Sequence, residues 1–584
     1  MSPTDTVSLR PRAFWREHEF TCLLVLVALV FLPRLAEQTI RGEESRWATV
    51  AQHMLATGDY IVPRQQGLPF PDRPPLHCWS IAACMAVLGP DSLWALRLPS
   101  VLAMLGSCTL IYGYGRRFLS PWGALGAGAA FATMLQVMQL GRLAESDALF
   151  TCLLASSLLI WHALYLSDRS RLLMWSVGYS LAALAALTKG PQAPVYFVGV
   201  TGCYLLLVRR DWRTLVSWQH LCGGFAFLLL LGSWQLPLAI SLGWDGVEGV
   251  WTEEGHLQAR LIPKDLAIAA RHWLTYPFKI LAATLPWSLL LACYFNPRVR
   301  NQKDGAQPYV VYLVTCLLVT LPTVWYTINS VTRYFVPLFP CLALLIGLAL
   351  ERSVVQARAT WWPPTWQRFR DSAIGVIAFA AIALIGVAQY HDLIPGLTSS
   401  PGWTLLFTVG GLSAASILWL SRTGAPQGRG GRVQVLALAG FIGLAYLSLG
   451  LSVVIGNSTN PSADVERVKQ ILPDDARLVS FGRVHHLFAY YYQQAIPQLP
   501  ALENAAAAEG VEYFCFAENR EDPIPVTIPF EWERVLTVSC DRARRADPID
   551  RVVIGRRRVS TPVSSDARVE RVASPQPSLS GPRR

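Results

Sequence analysis

Apolar runs of bilayer-spanning length recur from about Phe20 to Gly456, and this repetition constrains the fold of the chain more than any other feature. A helix needs ~20 consecutive apolar residues to cross a hydrocarbon core, where each backbone polar group must be bonded within the protein. Such runs therefore specify a helical bundle. Composition agrees, since 52% of the 584 residues are hydrophobic and 15% charged. Spans are expected near 20–35, 95–114, 122–139, 147–166, 172–188, 193–208, 221–241, 274–295, 308–328, 333–350, 371–390, 401–420 and 433–456. The apolar stretch at 77–89 is too short for a span and reads as a re-entrant or interfacial piece.

Charge tests this count of thirteen. Short loops rich in Lys and Arg belong on the cytoplasmic side. The N-terminus and the loops at 115–120, 167–171, 209–213, 296–305, 351–370 and 421–432 all fall there, whereas a span at 77–89 would break the alternation. Loops 36–94, 140–146, 189–192, 242–273, 329–332 and 391–400, and everything after about 457, are then expected outside. Arg10, Arg12 and Arg16 precede the first span and no small-residue cleavage site follows it, so it reads as a retained anchor. Topology also accounts for much of the net charge of +11, and no nucleic-acid partner is expected. Ten of the twelve cysteines precede Gly456, mostly in apolar runs, where they are small buried hydrophobes. Cys515 and Cys540 lie beyond it, and a bridge between them requires an oxidising compartment.

The outer loops collect the unusual polar residues: Glu43, Glu44, Asp72, Arg73, Arg142, Glu145, Asp147, Lys189, Glu253, Glu254, His256 and His272. In "EESRWATVAQHML" the apolar residues Trp47, Val50, Ala51, Met54 and Leu55 have the spacing of an amphipathic helix, which is expected to lie along the membrane interface. Glu43 and Glu44 fall at its start, where the helix dipole alone would favour acids by roughly 0.3–1 kcal/mol. The Pro-rich "PRQQGLPFPDRPPLHCW" that follows, with its Asp72-Arg73 pair, is more than a connection. Residues 457–555 read as a small α/β domain, with strands at 476–482 and 511–517 and a helix at 485–493. Residues 556–584, rich in Arg, Ser and Pro, read as a disordered tail.

The order of residues from Glu43 to Trp79 resembles the first periplasmic loop of the lipid A aminoarabinose transferases and their protein O-mannosyltransferase relatives, integral-membrane glycosyltransferases of the GT-C type. The resemblance continues in "GRLAESDALFT", "LTKGP", "EEGHLQARL" with "ARHWLTYPF", "LPWSLLL" and "RYFVPLFPCLALLIG", and covers about 300 residues in order. It implies a polytopic GT-C domain at 1–456, with 36–94 as its catalytic outer loop, in the cytoplasmic (inner) membrane. It also implies transfer of a sugar from a polyprenyl phosphate to an acceptor hydroxyl on lipid A, another lipid, a glycan or a protein. In the family an Asp-Glu pair opens the loop helix and its first member is the catalytic carboxylate. The matching residue here is Glu43, with Glu44 able to share the role, and Asp72-Arg73 matches the family's Glu-Lys.

That chemistry needs a general base, here Glu43, and cations for the departing phosphate. Asp147 is expected to orient the acceptor or stabilise charge on the sugar. Arg73, Lys189 and Arg333, all at one face, are the candidate phosphate ligands. Asp72, His256 and His272, with Glu253 and Glu254 nearby, are the candidate donors for a divalent metal such as Zn, Mg or Mn. Two rival readings stand beside the enzyme: a transporter or flippase of polyprenyl-linked substrates, and an inactive lipid-binding relative.

Overall fold

The computed structural model describes residues 14–70, 73–167, 169–252, 266–302, 304–328, 330–355, 365–387, 401–423, 429–458, 460–473, 476–499, 510–518, 528, 530–540 and 551–558. Each expected span coincides with a helix or a pair of helices. In chain order these begin with α1 (His18–Phe31), α2 (Glu44–Thr57), α3 (Leu76–Leu88), α4 (Leu93–Gly115), α5 (Pro121–Ala132), α6 (Leu135–Leu140), α7 (Ser146–Leu166), α8 (Arg171–Lys189) and α9 (Gln192–Cys203). Among the described residues nine helices are long and apolar enough to cross a membrane. A pair bent by 114°, Leu266–Ala283 and Trp287–Phe295, raises the number to ten if it is one broken span. The remaining expected spans are α1, the broken pair α5 and α6, and Thr365–Val387. The chain is a multi-pass membrane protein. Phe225, Leu228, Leu229, Leu236 and Ile240, exposed on the Trp218–Thr252 helix, match a lipid-facing belt.

Small residues bring helices together where apolar burial gives no preference between lipid and protein. A Cβ on Gly347 would stand 2.7 Å from the Ala127 Cβ and 2.8 Å from the Gly123 carbonyl oxygen, so Phe339–Val355 lies against α5 at near backbone distance. Elsewhere the ends are built by polar caps: Ser92 opens α4 by accepting from the Ala95 N–H, and Ser120 opens α5 by accepting from Gly123.

The soluble region is a five-stranded sheet in the order β4 (Gln498–Leu499), β3 (Leu478–Phe481), β5 (Tyr513–Glu518), β7 (Arg551–Arg557) and β6 (Trp532–Ser539). β4, β3 and β5 run parallel, while β7 joins β5 and β6 antiparallel. Helices Ser462–Ile471 and His486–Tyr492 cover one face through Val465, Val468, Phe488 and Tyr492. The strands expected at 476–482 and 511–517 are β3 and β5, and the expected helix is His486–Tyr492. Strands β6 and β7 extend the domain to Arg557, past the expected boundary at 555, and the tail from 559 lies outside the described residues. Cys515 on β5 and Cys540, just past the end of β6, are both buried in the domain's core.

This domain docks on the first loop. Between β1 (Arg64–Gln65) and β2 (Leu68–Pro69) the chain turns through Gln66 (φ 51°) and Gly67 (φ 78°), the positive-φ pair of a tight hairpin. The Gln66 amide donates to Ser480 Oγ (3.2 Å) and accepts from the Val484 N–H (3.1 Å). Ser45 Oγ on α2 pairs with His486 Nδ1 at 2.6 Å. The α2 stripe was expected on the membrane surface and is instead enclosed by protein. Trp47, Val50, Ala51 and Met54 pack against Ile81 and Met85 of α3, Leu96 of α4, and Leu487 and Tyr490 of the docked domain.

Candidate active site

The site begins where the chain leaves α1. Arg142 donates to the carbonyls of Val30 (3.0 Å) and Phe31 (2.8 Å), meeting the C-terminal carbonyls that α1 cannot bond itself. Arg97 on α4 fixes the next turn by donating to Leu35 (2.6 Å) and Gln38 (2.9 Å). Its other edge grips Glu44 through Nε (2.7 Å) and Nη2 (2.9 Å), with both side chains fully buried. Glu44 also accepts from the N–H groups of Arg41 and Ala144, each at 2.9 Å. Four donors on two oxygens leave this carboxylate saturated and cut off from solvent. A buried ion pair holds only when its remaining hydrogen-bonding positions are satisfied, as here. The expectation that Glu44 shares the base's role therefore gives way to a structural one: it ties α2 to α4 and to the chain before α7.

Glu43, one residue earlier, caps α2 and is turned elsewhere. Its Oε2 meets Arg46 Nη1 at 2.8 Å, with both side chains about a third exposed. Its backbone N–H donates to Glu145 Oε1 (3.2 Å). Gly42 makes this approach possible, because at φ 60° it holds a conformation that side chains rarely adopt and its Cβ would run into the Glu145 carboxylate.

Glu145 stands just before α7, buried, with Arg333 Nη1 3.9 Å from its other oxygen. Burial, reinforced by the nearby Asp147 carboxylate, pushes Glu145 up to about 7, against the pull of Arg333 and the Glu43 N–H. Asp147, in the first turn of α7, is buried and receives Lys189 from the end of α8. Its side chain is thus committed to an ion pair and not to capping α7. Lys189 is buried too, with its ammonium 5.0 Å from the Tyr334 ring centroid, so it is no snorkelling anchor. Arg333 is 38% exposed, and its Nε is buried without a hydrogen-bond partner among the described residues.

Arg73 is half-buried and lies one helical turn before His77, whose Nε2 donates to the Ala144 carbonyl (3.1 Å) beside Glu145. Folding therefore gathers Glu43, Asp147, Lys189 and Arg333 around Glu145, from loops as much as 290 residues apart in number. His272 is not in this group: it sits on Leu266–Ala283 with Tyr276, facing the backbone at Val324 and Trp325. Asp72, Glu253, Glu254 and His256 lie outside the described residues. Among the described residues no group of three His, Cys, Asp or Glu could hold a metal.

Glu145, legible in the sequence only as one of the outer-loop polar residues, and Arg97 are the residues to which the sequence assigned no role. Signals were present: an acid two positions before Asp147 in "RLAESDALF", and a lone Arg inside the apolar run "LWALRLPSVL". Chemically the cluster combines a Glu43 carboxylate about a third exposed with two cations each set on a buried acid, Lys189 on Asp147 and Arg333 by Glu145.

Residues 72–234 match the family model described as dolichyl-phosphate-mannose-protein mannosyltransferase. The chain is 31% identical over 405 residues to the undecaprenyl phosphate-alpha-4-amino-4-deoxy-L-arabinose arabinosyl transferase of Pseudomonas aeruginosa, an overlap of 68% of this chain and 71% of the relative. The enzyme of that name from Pseudomonas paraeruginosa is 28% identical over 410 residues, 69% of this chain and 71% of its own. In fold, the chain is similar to the crystal structure of ArnT from Cupriavidus metallidurans bound to undecaprenyl phosphate. The TM-score is 0.65 at 17% identity, covering 91% of this chain and 97% of that one.

Proposed function

The chain belongs to the family of the undecaprenyl phosphate-alpha-4-amino-4-deoxy-L-arabinose arabinosyl transferases, and we propose that it carries out their kind of transfer with Glu43 as the base. It is a membrane glycosyltransferase of the GT-C type that takes its sugar from a polyprenyl-phosphate donor. The donor we infer is an aminopentose on undecaprenyl phosphate, and the acceptor a lipid A-type glycolipid. The membrane we assign is the inner one, with the N-terminus cytoplasmic and the docked sheet domain outside, as the basic loops require.

In this reading the acceptor oxygen attacks the anomeric carbon while Glu43 takes its proton, worth about 10²–10⁴-fold. The bond from that carbon to the phosphate oxygen breaks as the new one forms, and the lipid phosphate leaves with the bonding pair. Arg333, Lys189 and Arg73 receive it. Arg suits this task because its fork meets two phosphate oxygens, and the unpartnered Arg333 Nε offers a donor not used by the fold. Asp147 keeps Lys189 in place and lies near the sugar. No step is routed through a divalent metal: of the donors read from sequence, only His272 is among the described residues, and it faces the backbone at Val324 and Trp325.

One observation carries the proposal. Of two adjacent acids, Glu44 is fully buried and saturated by four donors, whereas the Glu43 side chain is about a third exposed, pairs with Arg46, and is tied to the cluster by its backbone N–H on Glu145. The test is reconstitution in vesicles with undecaprenyl-phosphate sugars and a lipid A acceptor. Transfer by wild type and its loss in Glu43→Gln support the reading, and transfer undiminished in the variant overturns it. The family assignment sets aside the transporter reading, and an inactive relative would transfer from no donor.

A further inference from the structure

We propose that Glu145 is a positioning residue for the transfer, fixing through one carboxylate both the backbone that presents Glu43 and the arginine that receives the phosphate. This rests on the reading of Glu43 as base. Two observations carry it. Glu145 Oε1 accepts from the Glu43 N–H at 3.2 Å while Oε2 faces Arg333 Nη1 at 3.9 Å, so the side chain bridges the two halves of the site. The chain beside it is shaped to receive it: Gly42 has φ 60°, and any Cβ there would collide with the carboxylate. A carboxylate needed only to start α7 would not require this, and Glu145 makes no side-chain cap to that helix.

The charge on Glu145 decides how well it holds both partners. Ionised, it makes a charge-assisted bond to the Glu43 N–H and attracts Arg333. Protonated, it releases Arg333 and weakens the other bond. The groups that face it are Glu43 and Glu44 from α2, Asp147 from α7 and Arg333 from Thr332–Leu338. Behind them stand Lys189 on Asp147, Arg97 on Glu44 and Arg46 on Glu43. Burial first, then the nearby Asp147 and Glu44 carboxylates, raise its titration to about 7 against the opposing pull of Arg333 and the Glu43 N–H. The carboxylate therefore takes up a proton as pH falls through that value, and positioning weakens on the acid side.

The experiment measures kcat, donor KM and thermal midpoint for wild type, Glu145→Gln and Glu145→Ala across pH 6 to 8.5, with Glu43→Gln alongside. Loss of one hydrogen bond to a charged group is worth about tenfold, so the Glu145→Ala kcat is expected to fall by about that factor at pH 8. Glu145→Gln keeps an acceptor for the Glu43 N–H but not the charge. It should lie between the two and lose the wild type's decline below pH 7. A folded pKa above the unfolded one makes the carboxyl stabilising at low pH, with that contribution lost as pH rises through 7. The Glu145→Gln thermal midpoint at pH 8 should thus match or exceed wild type, separating lost positioning from lost folding. A Glu145→Ala enzyme with wild-type kcat and an unchanged acid limb overturns the inference. So does a fall in kcat matched by a fall in thermal midpoint in both variants. If Glu43→Gln retains full activity the base assignment fails first, a result separate from either of these.

Discussion

Glu44 receives four hydrogen bonds and sees no solvent, while Glu43, its neighbour in the chain, keeps a carboxylate a third exposed against a single arginine. The same side chain at adjacent positions thus serves two ends, and what separates them is supply of donors. The helix start turns Glu44 inward to Arg97 and the Ala144 N–H, and a saturated carboxylate has no lone pair free to take a proton. Glu43 joins the cluster of Glu145, Asp147, Lys189 and Arg333 through its backbone N–H on Glu145, while its carboxylate pairs with Arg46 and its side chain stays about a third exposed. Rigidity on one side and availability on the other are both needed, since a base acts only from a fixed position.

The comparison can be broken most severely from the rigid side. Arg97→Ala leaves Glu44 buried without its partner, which costs about 3–5 kcal/mol, and is expected to abolish stable protein in detergent, read by thermal melts and yield. An Arg97→Ala protein that melts like wild type would show that the Glu44 pair does not hold the loop. On the open side, Lys189→Met uncovers the Asp147 charge and removes a proposed phosphate ligand. Truncating one partner of such a buried pair costs about 2–5 kcal/mol, expected in kcat/KM for the donor, and an unchanged KM would argue that Lys189 serves only the fold. The smallest effect is expected at the docking contact. Gln66→Ala removes three hydrogen bonds between the hairpin and the sheet domain, to Ser480, Ile496 and Val484, each worth about 1 kcal/mol. Faster proteolysis of the domain, with kcat little altered, should be the result.

How much of this was legible beforehand follows from the range of the forces involved. Bundle spans are local runs of apolar residues, and each was readable from its own segment, as was the short α3. Strands β3 and β5 read as apolar runs, but β6 carries Glu533 and Arg534 and β7 carries Arg551, Arg556 and Arg557, and their pairing is visible only in the sheet. The apolar stripe of α2 predicted a helix correctly without saying what covers it, since lipid and a docked domain ask for the same residues. The difference between Glu43 and Glu44 was out of reach for the same reason. Arg97 is more than 50 residues from Glu44 in sequence, and the Ala144 N–H is farther still. Glu145 went unread as a site residue because its meaning comes from Gly42 and Arg333, which only the fold brings to it.

The central claim is that Glu43 is the carboxylate that takes the acceptor proton, and the initial rate of sugar transfer in proteoliposomes by Glu43→Gln against Glu43→Asp tests it most directly. The Gln variant is expected at least about 100-fold below wild type with an unaltered thermal midpoint, and the Asp variant, which keeps the carboxylate, is expected to retain substantial activity. A Gln variant that transfers sugar at the wild-type rate would contradict it.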